Sequence, residues 1–237
     1  MKSSLSQNKW LCGGLGSLIA ACFVGCGDPL EYVDVEANEK EYVNQVRQDS
    51  IQAYQIACRN VYVNDVTYFT DARDGQVYGA ITIGTQTWMA QNLNYSIDES
   101  YCYDNDDNNC LVYGRLYTWY AAMEACPEGW HLPSKEEWDT LFDAVGNSGQ
   151  MLKSVSGWAG NGNNGFCPFG FSVLPAGYYY YGSDFYGAGR NGLYWSSTED
   201  SSYSAYFKSF YYDDAGVYES YDYKGNGFSV RCLRNSN

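Results

Sequence analysis

The chain has 237 residues, enough for one good-sized domain with a leader or for two small domains. Its formal charge of -14 leaves no basic patch to neutralise phosphates, which excludes nucleic acid as a partner and leaves neutral ligands, cations and other proteins. Aromatic residues make up 18%, with 25 tyrosines and 7 tryptophans, against 18% charged residues and five prolines, the composition of a folded, loop-rich extracellular domain and not of a disordered tail.

The first residues read as a leader. Lys2 and Lys9 form a basic start, Leu11 to Val24 is an apolar run too short and too glycine-rich to span a membrane, and small residues precede Cys26 in FVGC. This predicts a bacterial lipoprotein signal peptide over residues 1–25, with Cys26 lipidated after cleavage. Cys22 in IAAC is the competing site: Ile19 fits a lipobox better than Phe23, but cleavage there would leave apolar CFVGC on the mature end. Gly27 after Cys26 favours sorting to the outer membrane and cell surface. Residues 26–65 are charged and glutamine-rich, with Tyr42, Val43, Val46, Ile51, Tyr54 and Ile56 at loosely helical spacing, and read as a lipid-anchored, helix-containing spacer. Without Cys12, Cys22 and Cys26 the nine cysteines reduce to six, Cys58, Cys102, Cys110, Cys126, Cys167 and Cys232, an even number that predicts disulfides in an exported chain. With no CxxC pair and one histidine, a His/Cys zinc cluster is not expected.

From residue 66 the chain changes to short strands and glycine turns. Gln76 to Leu93 reads as a hairpin in which Ile81 and Ile83 alternate with polar neighbours, GTQ turns and Trp88 resumes an apolar strand. Asp104 to Asn109 is a polar turn whose flanking Cys102 and Cys110 can close a local disulfide. Leu116 to Cys126 predicts a helix, with Leu116, Trp119, Tyr120 and Met123 on one stripe. A second helix is expected from about residue 135 to 145: Ser134 and Glu137 have capping-box spacing, Trp138, Leu141, Phe142 and Val145 form one apolar face, and Gly146 is a stop. Gly157 to Gly192 reads as a long glycine- and tyrosine-rich loop, and LYWSST, YSAYFKSFYY and GFSVRCLRN as closing strands. The order describes an α+β domain over residues 66–237.

Seven spaced segments, DARDGQVY, GTQTWMAQNLNY, YGRLYTWYAAM, CPEGWHLPSKEEWDTL, GFSVLPAG, YWSSTE and FSVRCL, resemble the Fibrobacter succinogenes major paralogous domain, a family of exported bacterial proteins, over about residues 68 to 237. LPSKEEW and GFSVRC are also similar to the C-type-lectin-like fold shared with formylglycine-generating, sulfatase-modifying enzymes. That resemblance implies two helices flanking small antiparallel sheets, a long irregular loop region bearing the ligand surface, and a bridge from Cys126 to Cys232. Cys58 and Cys167 then remain as the third pair.

Three kinds of site follow as expectations. A surface binding module would use the long loop, with Trp158, Tyr178, Tyr179, Tyr180, Tyr181, Phe185 and Tyr186 offering ring faces to sugars and Asn161, Asn163, Asn164 and Asp184 taking hydroxyls, so the expected partner is a glycan or another surface ligand. An enzyme like the formylglycine generators would need a second reactive cysteine five residues before Cys232, where Gly227 stands, so no catalytic residue is assigned. His131, between Trp130 and Leu132, is expected to pack or cap and not to act as a base, and a purely structural adhesion protein is the remaining alternative. Asp104, Asp106 and Asp107 offer hard oxygen ligands for a structural calcium, the one cofactor that the sequence suggests, against the simpler reading of a solvated acidic turn.

Overall fold

The computed structural model describes residues 66–160 and 165–235. The leader and spacer, with Cys22, Cys26 and Cys58, lie outside these residues, as do Asn161, Asn163 and Asn164. In chain order the elements are β1 (Thr67–Thr70), β2 (Val77–Ile83), β3 (Gln86–Met89), β4 (Ser100–Tyr101), α1 (Asp107–Tyr113), β5 (Leu116–Tyr117), α2 (Trp119–Ala125), β6 (Trp130–His131), α3 (Lys135–Ala144), α4 (Gly149–Leu152), β7 (Ala176–Tyr179), β8 (Phe185–Ala188), β9 (Asn191–Glu199), β10 (Ser204–Tyr211), β11 (Tyr218–Tyr223), β12 (Phe228–Ser229) and β13 (Leu233–Arg234).

The strands form two sheets, and the architecture is α+β. One sheet runs β1-β2-β3-β13-β6, so the last strand sits between two strands that precede it by about 100 residues or more. The other runs β11-β10-β9-β12-β5-β4, with β7 joined in parallel to β9 and β8 antiparallel to β7. Because β9 lies inside its sheet, its alternate side chains enter two different cores. Trp195 and Leu193 join Tyr117, Met89, Phe207 and Phe228, whereas Tyr194 joins Trp88, Trp138, Phe142, Phe171 and Phe210. Trp195 stacks on Phe228 at 4.2 Å between ring centres, and Trp138 meets Trp88 at 4.8 Å. Such ring pairs add about 1 kcal/mol each beyond the area they bury.

The expected hairpin forms, with Ile81 opposite Trp88 and Ile83 opposite Gln86. The second expected helix also forms as read. The Ser134 hydroxyl accepts from the Glu137 amide at 3.2 Å while the Glu137 carboxylate accepts from the Ser134 amide at 2.8 Å. Trp138, Leu141 and Phe142 are its buried face, and Gly146, at φ 69°, ends it in the left-handed region that glycine reaches at no steric cost. The closing segments become β9, β10 and the pair β12 and β13.

The structure corrects the sequence reading in four places. There are four helices among the described residues, not two. The acidic stretch expected as a turn folds into a 3-10 turn at Tyr103–Asn105 and then α1, because the Asp106 carboxylate accepts from the Asn108 amide and caps the helix. Leu116 and Tyr117 are strand, and the next helix begins only after Thr118, whose hydroxyl accepts from the Ala121 amide. The long loop is not irregular throughout, since residues 176–188 form the β7–β8 hairpin.

Both disulfides that the sequence suggested for the described cysteines are present, Cys102–Cys110 and Cys126–Cys232. Cys167 is disulfide-bonded as well. The buried Arg231 ties the last segment to the rest. Its guanidinium donates to the Asn92 side-chain oxygen at 2.6 Å and to the carbonyls of Met89, at 3.3 Å, and Phe171, while lying over the Phe171 ring. Oxygens thus take the donors of a cation that would be costly to bury bare.

Candidate functional site

The β7–β8 hairpin places the tyrosines of the former loop. Gly177 holds φ +68°, and a Cβ there would lie 2.4 Å from the Tyr186 carbonyl oxygen and 2.6 Å from the Ala188 nitrogen, so only glycine lets the two strands close. The pairs Tyr178 with Tyr186 and Tyr179 with Phe185 then separate the rings onto opposite faces. Tyr179 and Phe185 turn inward, meeting Tyr101 at 4.4 Å and Tyr103 at 5.5 Å between ring centres. Tyr178 and Tyr186 lie on the other side, 5.8 Å apart, with Tyr178 half-buried against Phe228 of the first core and Tyr186 exposed, and Tyr180 lies near them.

Strand register continues this side of the hairpin across the sheet, onto the face of β9 and β10 whose Leu193, Trp195, Ala205 and Phe207 belong to the first core. Gly177 pairs with Gly192, Leu193 with Ser209, and Ser209 with Tyr218, which brings Tyr186, Tyr178, Leu193, Ser209 and Tyr218 into one row across five strands. On either side of that row, Asn191 pairs with Tyr211, Phe207 with Ser220, and Ala205 with Asp222. Tyr211 and Tyr218 have ring centres 5.7 Å apart. The middle of the face is sealed, with Leu193 6% and Ser209 1% exposed, while Tyr186 and Tyr218 are each 45% exposed at its margins. Burial pushes the Tyr178 phenol above its ordinary value, and the nearby Asp222 carboxylate pushes in the same direction. Exposed tyrosine rings thus stand at the margins of a row whose middle is buried.

The residues expected to line the loop distribute unevenly. Tyr178, Tyr180 and Tyr186 come together on this face. Tyr181 stands apart against Tyr223 at 5.3 Å, and Asp184 is exposed near the hairpin tip, its carboxylate accepting from the Phe185 amide. Tyr179 packs inward as described, and Asn163 and Asn164 lie outside the described residues. Trp158 and Phe185 are corrections: at 5% and 8% exposed they are core side chains. Trp158 donates to the Ser154 hydroxyl at 2.9 Å and covers the Lys153 ammonium. Sequence reasoning missed Tyr211, Tyr218, Ser220 and Asp222, although the tyrosine-and-acid alternation of YESYDY was the signal for a strand there.

Two other clusters resolve into architecture. The His131 ring nitrogens lie 2.6 Å from the Asn235 side-chain oxygen and 2.9 Å from the Glu137 carboxylate, so His131 joins β6 to the capping box of α3. On the opposite face of β10, Lys208 reaches Asp139 at 2.6 Å and Glu219 at 2.5 Å, and Lys135 reaches Glu219 at 2.6 Å. These residues line an open cleft of about 360 Å³ whose charges are already paired. Burial pushes the Glu219 carboxyl up, but the hydrogen bonds and charges of Lys135 and Lys208 outweigh it and hold the group below its ordinary value. Asp106 is engaged as a helix cap, and among the described residues no three His, Cys, Asp or Glu side chains are grouped to hold a metal. Asp104, Asp106 and Asp107 therefore form no such group.

Residues 81–234, which include this face and all of both sheets except β1 and the start of β2, match the Fibrobacter succinogenes major domain. The chain belongs to that family. No curated protein and no solved structure matches it. Within the Fibrobacter succinogenes major domain of this chain, both disulfides of described cysteines, the capping box and the tyrosine face lie inside the matched range.

Proposed function

We propose that the protein is a non-catalytic binding module for a glycan, held at the cell surface by a lipid on Cys26. The observation that carries this reading is the shared face of the β7–β8 hairpin and the β10–β11 pair. There register brings Tyr178, Tyr186, Tyr211 and Tyr218 to one side of the sheet with Asn191 and Ser220. Sugar rings lay their C–H faces on aromatic planes while hydroxyls pair with amides and carboxylates, and this surface offers both. The two disulfides support an oxidising, exported location. The fold proposed is C-type-lectin-like, supported by the bridge that joins the end of α2 at Cys126 to Cys232 beside the last strand. That same bridge speaks against formylglycine-type chemistry, because Cys232 is no free thiol and Gly227 stands five residues before it.

A glycan array followed by calorimetry with the best oligosaccharide tests the reading, using Tyr186→Ala and Tyr180→Ala, both exposed rings. Each variant is expected to weaken binding about fivefold while leaving the thermal transition in place, in keeping with about 1 kcal/mol for one aromatic contact. Binding that both variants leave unchanged, or no glycan bound at all, would overturn it.

A further inference from the structure

The side of the β10–β11 pair opposite the tyrosine row carries the open cleft of about 360 Å³. Its lining includes the buried Phe142 ring, whose centre lies 5.2 Å from the Lys208 ammonium. Glu219 is shared by Lys208 at 2.5 Å and Lys135 at 2.6 Å, and Lys208 also meets Asp139 at 2.6 Å, so the charges of this group cancel. The pairs hold the wall of the cleft and leave polar atoms over. Asp139 engages Lys208 through Oδ1 alone, its side chain is 51% exposed, and Oδ2 has no hydrogen-bond partner among the described residues. The Lys135 side chain is 32% exposed and spends one donor on Glu219. At the rim Asn147 donates to the exposed Asp143 carboxylate at 3.3 Å, and its own side-chain oxygen has no partner among the described residues. Aromatic rings lead outward from the cleft. The Lys135 ammonium lies 4.6 Å from the centre of the Tyr206 ring, which meets Tyr221 edge-on at 6.1 Å. Lys208 pairs with Glu219 and Tyr206 with Tyr221, so Glu219 and Tyr221 share one side of β11, about 7 Å apart along the strand. Tyr221 is 58% exposed.

A charged ligand group could enter this cleft only by displacing one partner of an ion pair, which leaves the other charge uncompensated beside the buried Lys208. Neutral hydroxyls need no such exchange. One can donate to Asp139 Oδ2 and accept from a spare Lys135 N–H while every pair stays in place, and hydrogen bonds to charged partners are the strong ones. Resting on the reading that the protein binds glycans, we propose that the cleft is a second glycan site. It holds a neutral sugar unit by its hydroxyls at Asp139, Lys135 and Asn147, and the next unit of the chain lies against the Tyr221 ring. The cleft and the tyrosine face lie on opposite sides of one strand pair, so the protein holds two glycan chains at once.

The probes are xylohexaose, cellohexaose and mannohexaose, with galacturonic acid and glucosamine hexasaccharides as charged counterparts. Calorimetry is run at about 0.15 M salt, which screens the attraction of the chain's net charge of -14 for a polycation. The background is Tyr186→Ala/Tyr180→Ala, which removes the exposed rings of the other face. There a neutral hexasaccharide is expected still to bind, and Asp139→Asn, Asn147→Gly and Tyr221→Ala are each expected to weaken it about fivefold further. Asn147 has φ 57°, which glycine adopts without strain, so this variant removes the rim amide even if Asp139→Asn disturbs the pair with Lys208; an unchanged thermal transition confirms the fold of each. No residual binding in the background, or residual binding that the three further variants leave unchanged, overturns the cleft site while the tyrosine face stands. A charged counterpart that binds as tightly as the neutral sugar, with the same response to the variants, overturns the neutral ligand. Wild-type binding that falls with the cleft variants but not with Tyr186→Ala or Tyr180→Ala overturns the tyrosine face and leaves the cleft. Binding of no sugar by the wild-type protein overturns both.

Discussion

Removing the two disulfides separately should give losses of stability that differ in a calculable way. The Cys126–Cys232 bridge closes a separation of 106 residues and Cys102–Cys110 one of 8. Chain-entropy arithmetic assigns the first about 4.8 kcal/mol and the second about 2.5 kcal/mol. Cys232, Cys102 and Cys110 are 0%, 4% and 5% exposed, so alanine leaves comparable small voids in both pairs and the difference reports mainly loop length. The long bridge also holds β13 between β3 and β6, where the Cys232 carbonyl accepts from the Met89 amide at 3.0 Å. Urea titration of Cys126→Ala/Cys232→Ala and of Cys102→Ala/Cys110→Ala, monitored by tryptophan fluorescence, is the assay. At a slope of about 2 kcal/mol per molar urea, the long-bridge variant should unfold about 1 M earlier than the local one. Equal midpoints, or a larger loss for the local pair, would refute the loop-length reasoning and show that the Arg231 and main-chain contacts alone hold the last strand in place.

Ser134→Ala removes one half of the capping box of α3 and is expected to cost about 1 kcal/mol in the same titration, with Ser134→Asp restoring most of it; no loss would mean that His131 and Glu137 hold the helix start unaided. Glu219 makes a pH prediction. Its carboxyl lies below the usual glutamate value of 4.5 in the folded protein, so it contributes stability that is fully present above that value and lost as pH falls through the lower folded value. Glu219→Gln should therefore flatten the acid limb of the stability curve, and an unchanged acid limb would show that Lys135 and Lys208 do not act through Glu219.

Much of the framework was legible in the sequence because its signals are local. A capping box needs only Ser134 and Glu137 at the right spacing, and the Ile81 and Ile83 alternation needs only neighbouring residues. The acidic turn failed on a similarly local ground: Asp106 looked like a solvated or metal-ligating group but serves as a cap, since one short side chain can play any of these roles and the sequence does not rank them. The tyrosine face was legible only in part, since tyrosine content drew attention to residues 178–186 but not to β10 and β11, whose contribution depends on pairing across the sheet.

By itself, then, the sequence determined the family motifs, the α+β class and the start of α3, each set by composition or by residues within a few positions of one another. Only the tertiary structure decided which rings are core and which are surface. Trp158 and Phe185 are buried while Tyr186 and Tyr218 are open, although all four are aromatic and stand among turn-forming residues. The parity of each strand and the partner beside it settle that difference, and both follow from long-range register: Gly177 against Gly192, Leu193 against Ser209 and Ser209 against Tyr218.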